Sequence, residues 1–296
     1  VTRLIALLGV TGISFSAIFV GLAGASPSTS AFLRMLYALP PLLLICLFQR
    51  DRAPLSPKAV RLALVGGAVF ALNITVWHYN IDLVGAGLST VMGNAQVVFI
   101  GLIAWLLFGE RPTKAALAFI PVMLFSIVLI SGVLEEPGVG EAPVLGAVLG
   151  VLTAVLNASW LLLFRQATRA SRNTPAVLLI LTGAAAAVTF LASFADPNFS
   201  LAIPAVSHLW LIALALTSQV AGWLLISPAL NQLPALEVSV LMLVQPTLTL
   251  LWGYLVFGEI HSLWQWFGVA VLLTCVAILN RVGSIEAPAP RVRLQE

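Results

Sequence analysis

The residues of this chain that could do chemistry are mostly amides and tryptophans set inside apolar runs. In Asn73-Ile74-Thr75-Val76-Trp77-His78-Tyr79-Asn80, the residues Asn73, Trp77 and Asn80 fall at i, i+4 and i+7, on one face of a helix. Asn157 and Trp160 repeat the pairing at i, i+3, and Gln219 and Trp223 repeat it at i, i+4. Gln96 and Gln245 add an amide to two further runs. An amide turned toward lipid leaves polar groups unpaired, so these faces must point inward. Hydrogen bonding between helices, worth about 0.6 kcal/mol, accounts for any single amide. An amide beside a tryptophan on three runs points instead to a cavity wall for a solute with an apolar ring and a few hydrogen-bonding groups. The candidate substrate-binding residues are therefore Asn73, Trp77, His78, Tyr79, Gln96, Asn157, Trp160, Gln219, Trp223 and Gln245.

Charged side chains inside the runs are rare. Arg34 could hold a substrate carboxylate, snorkel to the surface or pair with Asp82. Carboxylates are missing from the run interiors, and Glu237 lies within about a turn of an end. His78 is thus the available proton switch at depth, and burial would favour its neutral form. Glu110 and Glu259 close two runs as boundary markers and, with Arg34 and Pro246, are the structural or gating candidates. No HExxH, GxSxG, phosphate loop or Cys/His cluster occurs, so catalytic residues, metal ligands and a cofactor are not expected. Cys46 and Cys275 lie within apolar runs and read as small core residues.

The elements that must carry these residues follow from composition. Of 296 residues, 60% are hydrophobic and only 8% charged, with a mean hydropathy of +1.07; a bilayer can accommodate that surface and a soluble core cannot. Ten apolar runs emerge, at 4–25, 29–48, 59–81, 86–108, 113–134, 144–164, 174–195, 206–229, 235–257 and 262–280. They do not alternate as barrel strands would, so they read as helices, the first included. Pro40-Pro41, Pro121 and Pro246 are expected to interrupt three of them. The net charge of +3 does not imply nucleic acid, because the basic residues sit in short loops rather than on one polar face.

Val91–Glu110 and Val240–Glu259 match at seven of twenty positions, including Gln96/Gln245 and the Phe-Gly-Glu endings. That marks an internal duplication. Threading ten helices from a cytoplasmic N-terminus puts the loop Lys and Arg residues, from Arg3 and Arg50 to Arg281, in the cytoplasm and Asp82, Glu135, Asp196 and Glu259 outside. Glu110 and Glu259 then end their runs on opposite faces, so the two five-helix halves are inverted repeats. Gln96 and Gln245 each lie 14 residues from their glutamate, bracketing the midplane. The expected fold is an all-α integral membrane protein with ten transmembrane helices in two inverted repeats, 1–140 and 141–283, a cytoplasmic tail over 284–296 and both termini in the cytoplasm.

These features, together with Arg34 early in the second run and the apolar-Gly-Glu endings at Glu110 and Glu259, resemble the EamA branch of the drug/metabolite transporter superfamily over essentially the whole chain. Family repeats often carry a proline inside the fourth and ninth helices; here Pro246 stands in the second copy and Val97 in the first. The chain looks most similar to the YddG-type exporters of aromatic amino acids. The resemblance implies a secondary transporter of the inner membrane that exports small organic solutes, amino acids first, by alternating access. Drugs or nucleobases are the alternative solutes, and a non-transporting scaffold the alternative role. The partners are then a small-molecule substrate and the lipid bilayer. With a neutral amino acid as solute and His78 a bystander, flux is expected to be facilitated diffusion.

Overall fold

Ser-Pro pairs and single polar residues start the helices, as helix-capping chemistry requires. In the computed structural model, which describes residues 2–49, 54–109, 111–134, 142–171, 173–232 and 235–282, these residues delimit an all-helical chain. Helices α1 (Thr2–Ser14) and α2 (Ser16–Ala23) share the first run. Ser26 caps α3 (Pro27–Phe48) by accepting from Thr29 N–H, and Ser56 caps α4 (Pro57–Val84) by accepting from Ala59 N–H. Helices α5 (Ala86–Gly93) and α6 (Gln96–Phe108) divide the fourth run. Thr113 caps α7 (Lys114–Ile130), and Asn173 caps α9 (Thr174–Ser193), which follows α8 (Pro143–Ala170). The eighth run comprises α10 (Ala205–Leu214), a π-helical segment (Ala215–Gly222) and α11 (Trp223–Gln232), and α12 (Ala235–Phe257) and α13 (Leu263–Val282) are the last of the described helices.

Among the described residues, eight helical stretches are long and apolar enough to cross a membrane, and Lys114–Ile130 and Leu241–Phe257 are shorter apolar helices. The prolines do not break helices as expected: Pro40 and Pro41 lie inside α3, Pro121 inside α7 and Pro246 inside α12. A proline removes one N–H and crowds one carbonyl, which a helix packed among neighbours can absorb. The interruptions fall instead at Phe15, at Asn94–Ala95 and in the π-helical segment, and none of these contains proline.

The halves pack on each other. Helix α3 lies on α9 and α7 on α13, while α4 packs on α8 and α1 packs on the π-helical segment, α11 and α12. At one end of the bundle Tyr79 donates to Asp196 at 3.3 Å; at the other, Ser56 donates to Ala170 O at 3.0 Å.

The first of these ends is tied by Glu259. Gly258, at φ 66°, turns the chain out of α12, and the Glu259 carboxylate then accepts from Ala86 N–H at 2.7 Å and Gly87 N–H at 3.1 Å. These are open donors at the start of α5, and an anion there also meets the positive end of the helix. Gly85 and Gly253 allow the approach, since a Cβ at either would collide with the Glu259 carboxylate. His261 lies 4.0 Å away. Burial pushes its imidazole below the usual pKa, although Glu259 pulls the other way. Glu110 lies outside the described residues, but Gly109 at φ 71° ends α6 as Gly258 ends α12.

Removing the carboxylate strands two amides, each at a cost of about 1–3 kcal/mol. Glu259→Ala is expected to lower the thermal midpoint of the detergent-purified protein by about 5 °C or more, and Glu259→Gln, which keeps one acceptor, by less. Heating followed by size-exclusion chromatography measures both, and equal midpoints in all three proteins would mean that water replaces the carboxylate.

Candidate functional site

Three helix irregularities border one region. At the first, around Phe15, the Ser14 and Ser16 hydroxyls donate to Thr11 O at 2.7 Å and Ile13 O at 2.6 Å. Groups from the other half complete the junction: Thr249 donates to Ser14 O at 2.9 Å, Trp252 Nε1 donates to the Ser14 hydroxyl at 3.1 Å, and Ser218 lies 2.8 Å from the Ser16 hydroxyl. At the second, Asn94 and Ala95 close tight three-residue turns onto Val91 O and Met92 O, both at 3.0 Å. The side chain of Asn94 donates to Thr90 O at 2.9 Å, and Asn157 Nδ2 donates to Gly93 O at 3.4 Å. The third is the π-helical segment that leads into Trp223. Irregular backbone survives at membrane depth only where protein buries it or where it lines a cavity.

A cavity of about 80 Å³ lies between these breaks. Ile13 and Ser16 reach it from the first break, and Thr90, Gly93, Asn94 and Gln96 from the second. Helix α4 supplies Phe70, Asn73, Ile74 and Trp77, and α8 supplies Thr153, Asn157 and Trp160. Trp223, Gln245 and Arg34 close it from α11, α12 and α3. The aromatic wall is fixed by packing: Trp160 meets Trp223 edge-on at 4.8 Å and 89°, and Phe70 lies 4.5 Å from Trp160. Trp160 Nε1 donates to Asn157 Oδ1 at 2.7 Å, and Asn73 Nδ2 donates to Thr153 O at 3.0 Å. A second space of about 160 Å³ shares Asn94, Gln96 and Trp223 with the first and extends to Met242, Val276 and Asn280. It leads toward the end of α13 that carries Arg281.

The structure brings seven of the ten candidates to this cavity: Asn73, Trp77, Gln96, Asn157, Trp160, Trp223 and Gln245. His78, Tyr79 and Gln219 are elsewhere. At about 100° per residue, His78 lies roughly 140° and Tyr79 roughly 240° around the helix from Asn73. His78 is buried with Nδ1 3.3 Å from Pro27 O, and Tyr79 is exposed beside Asp196 and Ser28. The π-helical turn changes the angle between Gln219 and Trp223, and Gln219 donates to Thr182 at 3.1 Å. Pro246 and Glu259 do not line the cavity. Arg34 does, without snorkelling, for it is only 4% exposed. Among the described residues no carboxylate pairs with it; its guanidinium carbon lies 5.9 Å from the centre of the Phe70 ring. Ser16, Phe70, Thr90, Asn94 and Thr153 were not singled out by sequence, although Gly93-Asn94 inside an apolar run is a break signal. No group of three or more metal-binding side chains occurs among the described residues.

The EamA-like transporter family model matches residues 2–132 and again 144–281. The pseudopaline exporters CntI of two strains of Pseudomonas aeruginosa are each 24% identical over 243 residues, covering 81% of this chain and 82% of the relative. A solved crystal structure superposes with a TM-score of 0.62 at 17% identity, covering 95% of this chain and 98% of the other, which is a likeness of fold.

Trp223→Ala removes one side of the aromatic wall. Solute flux in vesicles is expected to fall about two- to tenfold, the worth of one aromatic contact, at an unchanged amount of protein in the membrane. Wild-type flux in this variant would make Trp223 a packing residue only.

Proposed function

Because the chain belongs to the EamA-like transporter family, we propose that this multi-pass membrane protein exports amino acids, aromatic ones first, across the inner membrane by alternating access. The observation that carries the reading is the lining chemistry: tryptophan rings and amides, the groups that would meet an apolar ring and a few polar groups, come together where helices are broken, around a cavity of about 80 Å³ that adjoins a second of about 160 Å³. Export agrees with the name of the pseudopaline exporters. The ten-helix architecture is two inverted five-helix repeats, 1–140 and 141–283, with the tail 284–296 and both termini cytoplasmic. It is supported by the pairing of equivalent helices, α3 with α9 and α7 with α13, and by the mirrored packing of α4 on α8 and of α11 on α1.

Flux of radiolabelled solutes into liposomes of the purified protein tests the function. The panel contains aromatic and aliphatic amino acids, nucleobases and pseudopaline. Aromatic amino acids are expected to move fastest; movement of nucleobases or pseudopaline alone would replace the amino acid as the solute. The same vesicles test coupling. His78 bonds to a backbone carbonyl and does not line the cavity, so imposed pH gradients are expected to leave the accumulation ratio near one and His78→Gln to keep its flux. Accumulation driven by pH and lost in that variant would make the protein a proton-coupled carrier.

Orientation is tested in a background with Cys46→Ala and Cys275→Ala. Asn198→Cys is expected to react with an impermeant thiol reagent in intact cells, and Lys58→Cys only after permeabilisation. The opposite pattern would turn the protein over in the membrane.

A further inference from the structure

The cavity carries a fixed charge that the proposed solute must answer. Arg34 reaches it from α3, and every other lining side chain is neutral. Arg34 is 4% exposed and its Nε has no hydrogen-bond partner. The Phe70 ring at 5.9 Å offers only a weak counter-attraction. At this point α5 ends and α6 begins, so helix ends of opposite partial charge meet and largely offset each other. Two more lining atoms are buried without a partner, Gln96 Oε1 and Thr153 Oγ1. Both are neutral, and each can accept a hydrogen bond. A buried guanidinium with an open donor is strongly destabilised unless an acceptor, ideally an anionic one, meets it.

We propose that Arg34 is the anion-binding residue of the cavity, so that the site selects a solute by its carboxylate and not by its amine. The inference rests on the reading of the cavity as an amino-acid site and narrows it. The carboxylate meets the one full charge, whereas an ammonium finds only the neutral oxygens of Gln96 and Thr153. The substrate class is therefore the aromatic monocarboxylates, with or without an α-amino group. Cations of the same shape are excluded, because they would bring a second positive charge beside Arg34.

Four ligands that share one ring test this: phenylalanine, 3-phenylpropanoate, phenylalanine methyl ester and phenethylamine. Each competes against radiolabelled phenylalanine for uptake in proteoliposomes, and each is also titrated against the purified protein by calorimetry. The two carboxylates are expected to bind within about tenfold of each other, and the ester and the amine at least about tenfold more weakly, the worth of a charge-assisted hydrogen bond. Arg34→Gln is expected to abolish the discrimination, and Arg34→Lys, which keeps the charge without the planar fork, to retain part of it. Should Arg34→Gln fold poorly, the wild-type ranking and Arg34→Lys still decide. Equal binding of ester and acid, no binding of either carboxylate, or an unchanged preference in a folded Arg34→Gln protein would overturn the proposal. Binding of 3-phenylpropanoate without amino-acid flux would remove the amino acid and keep the anion site. Amino-acid flux indifferent to esterification and to Arg34→Gln would do the reverse.

Discussion

A backbone polar group surrounded by apolar side chains must find a hydrogen-bond partner, and the shape of this molecule follows from how its interrupted helices meet that demand. At the α1–α2 break, Thr249 and Trp252 of the second half reach Ser14 in the first. At the α5–α6 break, Asn157 of the second half reaches Gly93. At the start of α5, Glu259 of the second half takes two open amides. Each of these three places in the first half is therefore also bonded from the second. The same contacts hold the cavity walls in register, because the groups that satisfy the breaks sit beside those that face the open space.

The Phe-Gly-Glu ending has a physical reason in these terms. Glycine takes the left-handed conformation at both ends, φ 71° at Gly109 and φ 66° at Gly258. The turn frees the next residue to reach across the bundle, as Glu259 does. A motif that reads as a membrane boundary is also a fastening between halves. The bond is partly shielded and made to main-chain donors, in a space that Gly85, Gly87 and Gly253 leave open for the carboxylate.

Helix positions were legible because hydropathy and capping residues act locally: the ten apolar runs agree with the helical stretches to within about six residues at every end, and Ser26, Ser56, Thr113 and Asn173 sit at helix starts. The breaks were harder to read: none contains proline, and only Gly93-Asn94 at the α5–α6 break gives a local signal. Phe15 and Ala95 are ordinary helix formers, and the partners that meet the irregular backbone beside them include distant ones, Thr249 at Ser14 O and Asn157 at Gly93 O. The face pattern brings Asn73 with Trp77 and Asn157 with Trp160 to one cavity, all on regular helices. It does not extend to Asn80, whose amide turns to Ser89 instead, or to Gln219, where the helix widens, while His78 and Tyr79 lie off the shared face from the start.

Recognising an inward-facing amide does not say whether its hydrogen bonds are already used. Asn73 donates to Thr153 O, and Asn157 both donates to Gly93 O and accepts from Trp160. These two asparagines hold the backbone and the indole in place, so loosening either would blur the cavity before it removed a contact to anything inside. Arg34 Nε, Gln96 Oε1 and Thr153 Oγ1 are buried at the same cavity with nothing bonded to them. A folded chain tolerates such atoms at a cost of about 1–3 kcal/mol each, and the cost is recovered whenever water or a solute occupies the space. The polar residues around this cavity thus divide into those that fix its walls and those left open to its contents, a division set by three-dimensional partners and invisible in residue type.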